Sequence, residues 1–228
     1  MRRLALLALV GALAAGCSSA AGGSGQATIW VTRDKGTIVM HRAKIPAGLT
    51  AMQALARVAK LQTRYGGRYV KSVDGVGEQG RSAWFYYVNG YLADQGAADY
   101  RLHDGDVEWW DYRSWHNPAD DPVVVGAFPE PFLHGYAGKT RPAVVASNDP
   151  RAGRRLARLL HARLVPATAR LPQGANVLLL GAPGETKFEA RYGPGGASPG
   201  SPVLMVFTGN PDSLLRRPMP YRLRYSVP

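Results

Sequence analysis

Eight residues in one short span could grip a ligand: Trp84, Tyr86, Tyr87, Asn89, Tyr91, Trp109, Trp110 and Tyr112. Tyrosine and tryptophan pair a flat apolar face with a polar tip. That suits a ring system, a sugar or the hot spot of a protein partner. The eight fall in two runs, 83–91 and 104–112, rich in the aromatic residues that strands favour. In the second run Val107, Trp109 and Asp111 alternate with Glu108, Trp110 and Tyr112, so both faces of one strand carry rings. One face is expected to pack on a core and the other to show rings to a partner.

Other chemistry is harder to assemble. Asp104, Asp106, Glu108, Asp111, Asp120 and Asp121 cluster in sequence. A calcium site needs several oxygens converging from one loop, so these carboxylates are expected to be solvated turn acids. His41, His103, His116, His134 and His161 lack the spacing of metal ligands on one helix or hairpin, and the chain has a single cysteine. No nucleophile–base–acid set is visible. The expectation is a binding protein with no catalytic residue, no metal and no cofactor. Three patterns imitate known motifs. Gly75–Gly80 spells GxGxxG, but a strand rather than a helix is expected after it. Gly138-Lys-Thr140 resembles the end of a phosphate loop whose first glycine is missing. Gly196-Ala-Ser-Pro-Gly200 lacks the strand–turn–helix setting of a nucleophile elbow. All three are expected to be turns.

The elements that position the rings can be read in order. Ala27–Thr32 and Thr37–Lys44 form a hairpin around Asp34-Lys-Gly36. Thr50-Ala-Met-Gln53 spells a capping box. Leu49, Met52, Leu55, Val58 and Leu61 recur at helical spacing behind it, predicting a helix of about three to four turns. Tyr69–Val73 is a strand, and Asn89-Gly90 is a type I′ hairpin turn. Gly48-Leu-Thr-Ala-Met-Gln-Ala-Leu55, the Tyr69 strand with its trailing glycines, Ala83-Trp-Phe-Tyr-Tyr-Val-Asn-Gly90, Gly96-Ala97, Tyr100-Arg-Leu and Asp104-Gly-Asp-Val-Glu-Trp109 together resemble the transcobalamin-like C-terminal domain of bacterial surface proteins. The resemblance covers about residues 27–115. It implies a β-grasp-like α+β domain and a small-molecule ligand such as cobalamin.

The N-terminus speaks for a compartment. Met1-Arg-Arg3 precedes an apolar run, Leu4–Ala15, too short to span comfortably as a helix. Leu13-Ala-Ala-Gly-Cys17 resembles the bacterial lipobox. Residues 1–16 are therefore expected to be a lipoprotein signal peptide, Cys17 the lipidation site and 17–26 a flexible tether. The mature protein would lie outside the cytoplasmic membrane, anchored to it. Nucleic acid is then a poor partner, although the formal net charge is +12.

Residues 116–122 are expected to be a linker, with a second domain over 123–228. Strand, helix and strand follow one another there: Pro142–Ala146, a helix capped at Asn148-Asp149-Pro150 and running to about Leu164, then Asn176–Leu180. Val203–Phe207 and Tyr221–Val227 are further strands. Cys17–Pro122 carries 12 basic and 11 acidic residues, and Val123 onward 14 and 5. The basic surface belongs to the second half. Arg151, Arg154, Arg155 and Arg158 stand on the helix with no acid among them and are expected to dock on an anionic surface. The overall expectation is α+β: a β-grasp-like, transcobalamin-like domain followed by a small basic α/β domain. The function expected is a lipoprotein that binds a small cobalamin-like ligand through its aromatic sheet, beside a transporter subunit for vitamin uptake. The alternative is a non-enzymatic envelope module that docks on a protein, anionic lipid or wall polymer.

Overall fold

Capping, alternation and turn chemistry build the first half of the chain. A computed structural model describes residues 25–117, 121–182 and 184–216. The signal segment, Cys17, most of the tether and the expected strand Tyr221–Val227 lie outside the described residues. In β1 (Gln26–Arg33), Ala27, Ile29 and Val31 are buried on one face. β1 pairs antiparallel with β2 (Ile38–Pro46). Thr50 then closes the expected capping box, accepting from Gln53 N at 3.1 Å while Gln53 Oε1 accepts from Thr50 N at 2.9 Å. Behind it α1 (Ala51–Val58) buries Ala51, Ala54 and Leu55.

The helix is shorter than its periodicity suggests. Leu61–Arg64 is not its last turn but a strand, β3, which pairs with β4 (Tyr69–Val73) and continues into β5 (Val76–Gly77). A long-range contact overrides the helical pattern. Lys60 N donates to Asp74 Oδ1 at 2.8 Å and Asp74 N donates to Lys60 O at 2.8 Å, which draws the chain out into a hairpin. Gly75–Gly80 lies in this hairpin and the turn after it, with no helix to follow.

β6 (Ser82–Val88) and β7 (Tyr91–Leu92) turn at Asn89-Gly90, both in the left-handed region. β8 (Val107–Ser114) then inserts between β6 and β1. The sheet order is β2-β1-β8-β6-β7, with β1 and β8 parallel and every other pair antiparallel.

The second half is wound around a mostly parallel sheet. β9 (Ala143–Ala146), α2 (Pro150–Leu159) and β10 (Arg163–Val165) form a strand–helix–strand unit with parallel strands. Asp149 caps α2, its Oδ1 accepting from Arg151 N at 2.8 Å and Ala152 N at 3.0 Å. The helix ends earlier than Leu164, because His161 turns left-handed and releases the chain into β10. β11 (Asn176–Leu180) lies on the other side of β9, then β13 (Val203–Thr208), with β12 (Lys187–Tyr192) antiparallel at the edge. A 3-10 turn, Pro211–Leu215, closes against α2. The fold is α+β, with one antiparallel-rich and one mostly parallel five-stranded sheet and the small antiparallel sheet β3-β4-β5.

Residues 123–136 join the two sheets. Val123, Val124, Val125, Ala127, Phe128 and Phe132 are all buried. Phe128 packs on Phe132 and Phe188, at ring-centroid distances of 6.1 and 5.6 Å. Tyr91 of the first sheet packs on Tyr136 and Tyr192 and donates to Ser201 O at 2.7 Å. One hydrophobic core therefore runs from Ile29 and Leu55 through Phe128 to Leu156 and Phe207. Of the expected linker, residues 118–120 lie outside the described residues, and Pro122 O accepts from Leu92 N at 3.0 Å.

Candidate functional site

The register of β6 on β8 sorts the aromatic residues. Trp84 faces Tyr112, Tyr86 faces Trp110 and Val88 faces Glu108 on one side of the sheet. Phe85 and Tyr87 face Asp111 and Trp109 on the other. Both sides are covered, and the expectation of one outward ring face is corrected here. α1 and the β4–β5 hairpin close the first side. Val124 closes over Tyr87 and Trp109 on the second.

Six of the eight expected binding residues are buried: Trp84, Tyr87, Asn89, Tyr91, Trp109 and Trp110. Their polar atoms are engaged inside the fold. Trp109 Nε1 donates to Thr32 Oγ1 at 2.7 Å, Arg113 Nη2 to Tyr87 Oη at 3.1 Å and Trp84 Nε1 to Val76 O at 2.9 Å. Asn89 Nδ2 donates to Asp106 Oδ1 at 2.7 Å and Gly135 O at 2.9 Å, and its Oδ1 accepts from Val107 N at 2.7 Å. Asn89 is thus a turn residue whose amide is consumed by Asp106, Val107 and Gly135. Tyr86 and Tyr112 are half-buried and donate to Gln95 O and Gly77 O.

The carboxylates correct a second expectation. Asp106, Glu108 and Asp111 are fully buried rather than solvated. Asp111 holds the β1–β2 turn by accepting from Thr32 Oγ1 at 2.5 Å, Gly36 N at 3.0 Å and Lys35 N at 3.1 Å. That turn takes Asp34, Lys35 and Gly36 through the left-handed region, and directed hydrogen bonds offset its cost. Glu108 Oε1 accepts from Trp110 Nε1 at 2.6 Å, while Oε2 meets no donor. Burial pushes the Glu108 carboxyl well above the usual carboxylate range, against the pull of the Trp110 hydrogen bond. Burial raises Asp106 too, opposed by donors from His103 and Asn89. Asp120 lies outside the described residues.

What stays open is a small cleft. Trp84, Tyr86 and Trp110 line it, with Met52 of α1, Tyr69 and Val70 of β4, Arg68, and Gly96-Ala97. Its volume is about 170 Å³. Tyr86 stacks on Trp110 with centroids 4.9 Å apart and planes 20° apart, giving the cleft a flat wall. Arg68 pairs with Asp99 at the mouth. Tyr65, 77% exposed, meets Tyr69 edge-on at 6.1 Å. Burial and the neighbouring Glu78 carboxylate push the Tyr69 phenol up to about 12, so it stays a hydrogen-bond donor at neutral pH. Three of the eight expected residues therefore reach one opening. Met52, Arg68, Tyr69 and Gly96 join them from elements that the ring pattern does not mark. The signal available for Tyr69 is its place on a strand flanked by Arg68 and a tyrosine-bearing turn.

The second half has its own openings. A polar cavity of about 540 Å³ lies between Asp94, Tyr136, Lys139, Arg141 and the 198–201 loop. A crevice of about 380 Å³ sits at the C-terminal ends of β9, β11 and β13, beside Ser147, Asp149, Gly181 and Gly209. Ligands of open α/β sheets favour such a position, where strand order reverses. The arrangement β9–α2–β10 followed by β11 is the sequence signal for it. The four arginines expected to dock on an anionic surface stand together along a groove on α2. Among the described residues no cluster of three His, Cys, Asp or Glu side chains is placed to hold a metal, and no helix is long and apolar enough to cross a membrane.

Comparison with known proteins places the cleft within a recognised segment. A family profile described as a domain of unknown function (DUF4430) matches residues 48–114. No curated protein matches the chain. Among solved structures, the chain is similar to a protein from Ruminococcus gnavus described as a candidate metal-binding protein. The two are 13% identical, with a TM-score of 0.33 over 40% of this chain and 99% of that one.

Proposed function

We propose that this chain is an extracytoplasmic, membrane-anchored lipoprotein whose first half binds a small ligand by enclosing one of its rings. The observation that carries the reading is the cleft walled by Trp84, Tyr86 and Trp110 within residues 48–114. At about 170 Å³ it is smaller than the roughly 300–1,000 Å³ of sites that enclose a whole drug-sized molecule. It takes one planar ring and leaves the rest of the ligand outside, against Tyr65, Tyr69 and Arg68. Flat aromatic walls favour an offset-stacked ring by about 0.5–1.5 kcal/mol beyond area burial. The parallel pairing of the first and last strands of the sheet, with α1 across it, supports the relation to β-grasp, transcobalamin-like modules. Cobalamin or a related vitamin is then the ligand class, and a membrane uptake system the setting. The leader and Cys17 support the anchor. The reading is of a carrier, not a catalyst.

Titration of the unacylated Cys17→Ser protein with cobalamin, followed by calorimetry and tryptophan fluorescence, tests it. Heat and quenching are expected, weakened at least tenfold by Tyr86→Ala at the cleft wall. No heat and no spectral change would remove the vitamin. Binding unaltered by Tyr86→Ala would remove the cleft.

A further inference from the structure

We infer that the outer face of α2 is a docking site for the phosphate headgroups of an anionic bilayer. The inference rests on the lipoprotein reading above for the presence of a membrane nearby. Arg151, Arg154, Arg155 and Arg158 follow the i, i+3, i+4, i+7 spacing of a single helical stripe. At 1.5 Å per residue, the stripe places four guanidinium stems within about 10 Å along the axis. With His161 they wall a groove of about 800 Å³ floored by Ala157 and Leu164. Gly153 makes that floor. A Cβ there would come within 2.6 Å of Leu164 Cδ1, so its absence lets β10 close against the helix.

The stripe is poorly suited to being a mere solvated face. Arg151 and Arg155, and Arg154 and Arg158, are like-charge neighbours at i, i+4, which repel. They begin in the first turn, where the helix dipole already presents its positive end and disfavours cations. That first turn contains no acidic residue, and the N-cap Asp149 is spent on backbone amides. Arg155 pairs with Asp212 at 2.6 Å. Arg151, Arg154 and Arg158 are exposed and have no ion pair among the described residues. Concentrated positive charge that weakens its own helix fits an anionic partner.

Chemistry selects the partner. Guanidinium forks engage phosphate oxygens in pairs, which an ammonium cannot do. The apolar floor suits the glycerol and first methylenes beneath a headgroup. No Trp, Tyr or Phe lines the groove and His161 is its one ring among the described residues, so the run of stacking rings of a single-stranded nucleic-acid site is missing. In the other half of the chain acids nearly balance bases, so docking would be one-sided and leave the aromatic cleft a separate function.

Flotation of the full-length Cys17→Ser protein with vesicles tests the surface without its acyl anchor. Vesicles of phosphatidylglycerol in phosphatidylcholine are compared with pure phosphatidylcholine, which cancels the apolar pull of the leader, and the triple variant below keeps Arg2 and Arg3 and so cancels their charge. The anionic vesicles are expected to bind roughly a hundredfold more tightly at low salt, on the scale of three unpaired arginines near an anionic leaflet. The triple variant Arg151→Gln, Arg154→Gln, Arg158→Gln is expected to lose that preference while melting no lower than the unsubstituted chain, since it relieves the repulsion along the stripe. Half-molar salt is expected to abolish it in the unsubstituted chain, which covers the case of a variant that fails to fold. Equal binding to both vesicles, or a preference that the triple variant keeps, overturns the inference. Release by millimolar inorganic phosphate would make this a free-phosphate site. Tighter binding to a short DNA duplex than to anionic vesicles would make it a nucleic-acid surface. Either result also overturns it. Mass measurement of Cys17 in the native protein tests the anchor separately, so the two readings can fail independently.

Discussion

The two sheets handle polar chemistry in opposite ways. The first takes its polar groups inside: Asp106, Glu108, Asp111, Asn89 and Thr32 are fully buried, and all but one oxygen of Glu108 find donors or acceptors close by. The second keeps its interior largely apolar, with Val145, Leu178, Met205 and Phe207 stacked in the sheet, and carries its charge outside on α2. The difference teaches where recognition can arise. A region that has spent its polar groups on itself recognises by shape, through what little ring surface remains open. A region that has buried few of them, Asn176 and Ser147 chief among them, keeps its charge outside, where it can act on a partner.

Trp109→Ala should break the first region most severely. The ring is fully buried, bonded to Thr32 and packed on Trp30 and Tyr87. A loss of about 3–5 kcal/mol is expected in denaturant unfolding. A loss under about 1 kcal/mol would mean that the sheet is open where the structure closes it.

Glu108→Gln probes the buried carboxyl. A carboxyl raised on folding is protonated more in the folded than in the unfolded chain. The native state then binds the extra proton, so stability falls as pH rises from the ordinary glutamate value of 4.5 toward the raised folded value. The glutamine keeps an acceptor for Trp110 Nε1 and cannot ionise. Melting curves across pH 4–8 should therefore fall less steeply for the variant, and parallel curves would show Glu108 to be solvated.

Tyr91→Phe tests the link between the regions. It removes the hydrogen bond to Ser201 O and leaves the ring stack. A loss of about 1 kcal/mol is expected, with one unfolding transition. Two separated transitions would mean that the sheets fold as independent units. Arg154→Gln should have the smallest effect, within about 0.5 kcal/mol on stability, because the side chain is exposed and unpaired among the described residues. A clear gain would fit relief of like-charge repulsion and sharpen the contrast further.

Local chemistry was legible where it closes within a few residues. Thr50 and Gln53 cap α1, Asn89-Gly90 turns the hairpin and Asp149-Pro150 starts α2, as their spacing implies. The cleft was legible only in part. Trp84, Tyr86 and Trp110 carry a ring signal, whereas Met52 and Arg68 reach the same opening from a helix and a hairpin that nothing local associates with it. The fate of the other rings was not legible, because what covers Tyr87 and Trp109 is Val124, beyond the segment that resembles a known domain. The end of α1 was misjudged for the same reason, since Asp74 decides it from fourteen residues away.

By itself the sequence determined most of the elements, the alternation that puts rings on both faces of β8 and the one-sided charge of the second half. Each follows from spacing or composition, which act locally or add up without regard to shape. Only the tertiary structure decided which rings are interior, which carboxyls are taken out of water and what floors the groove beside the four arginines of α2. Those outcomes depend on the layer that lands on each face, and contacts between residues far apart in the chain choose that layer.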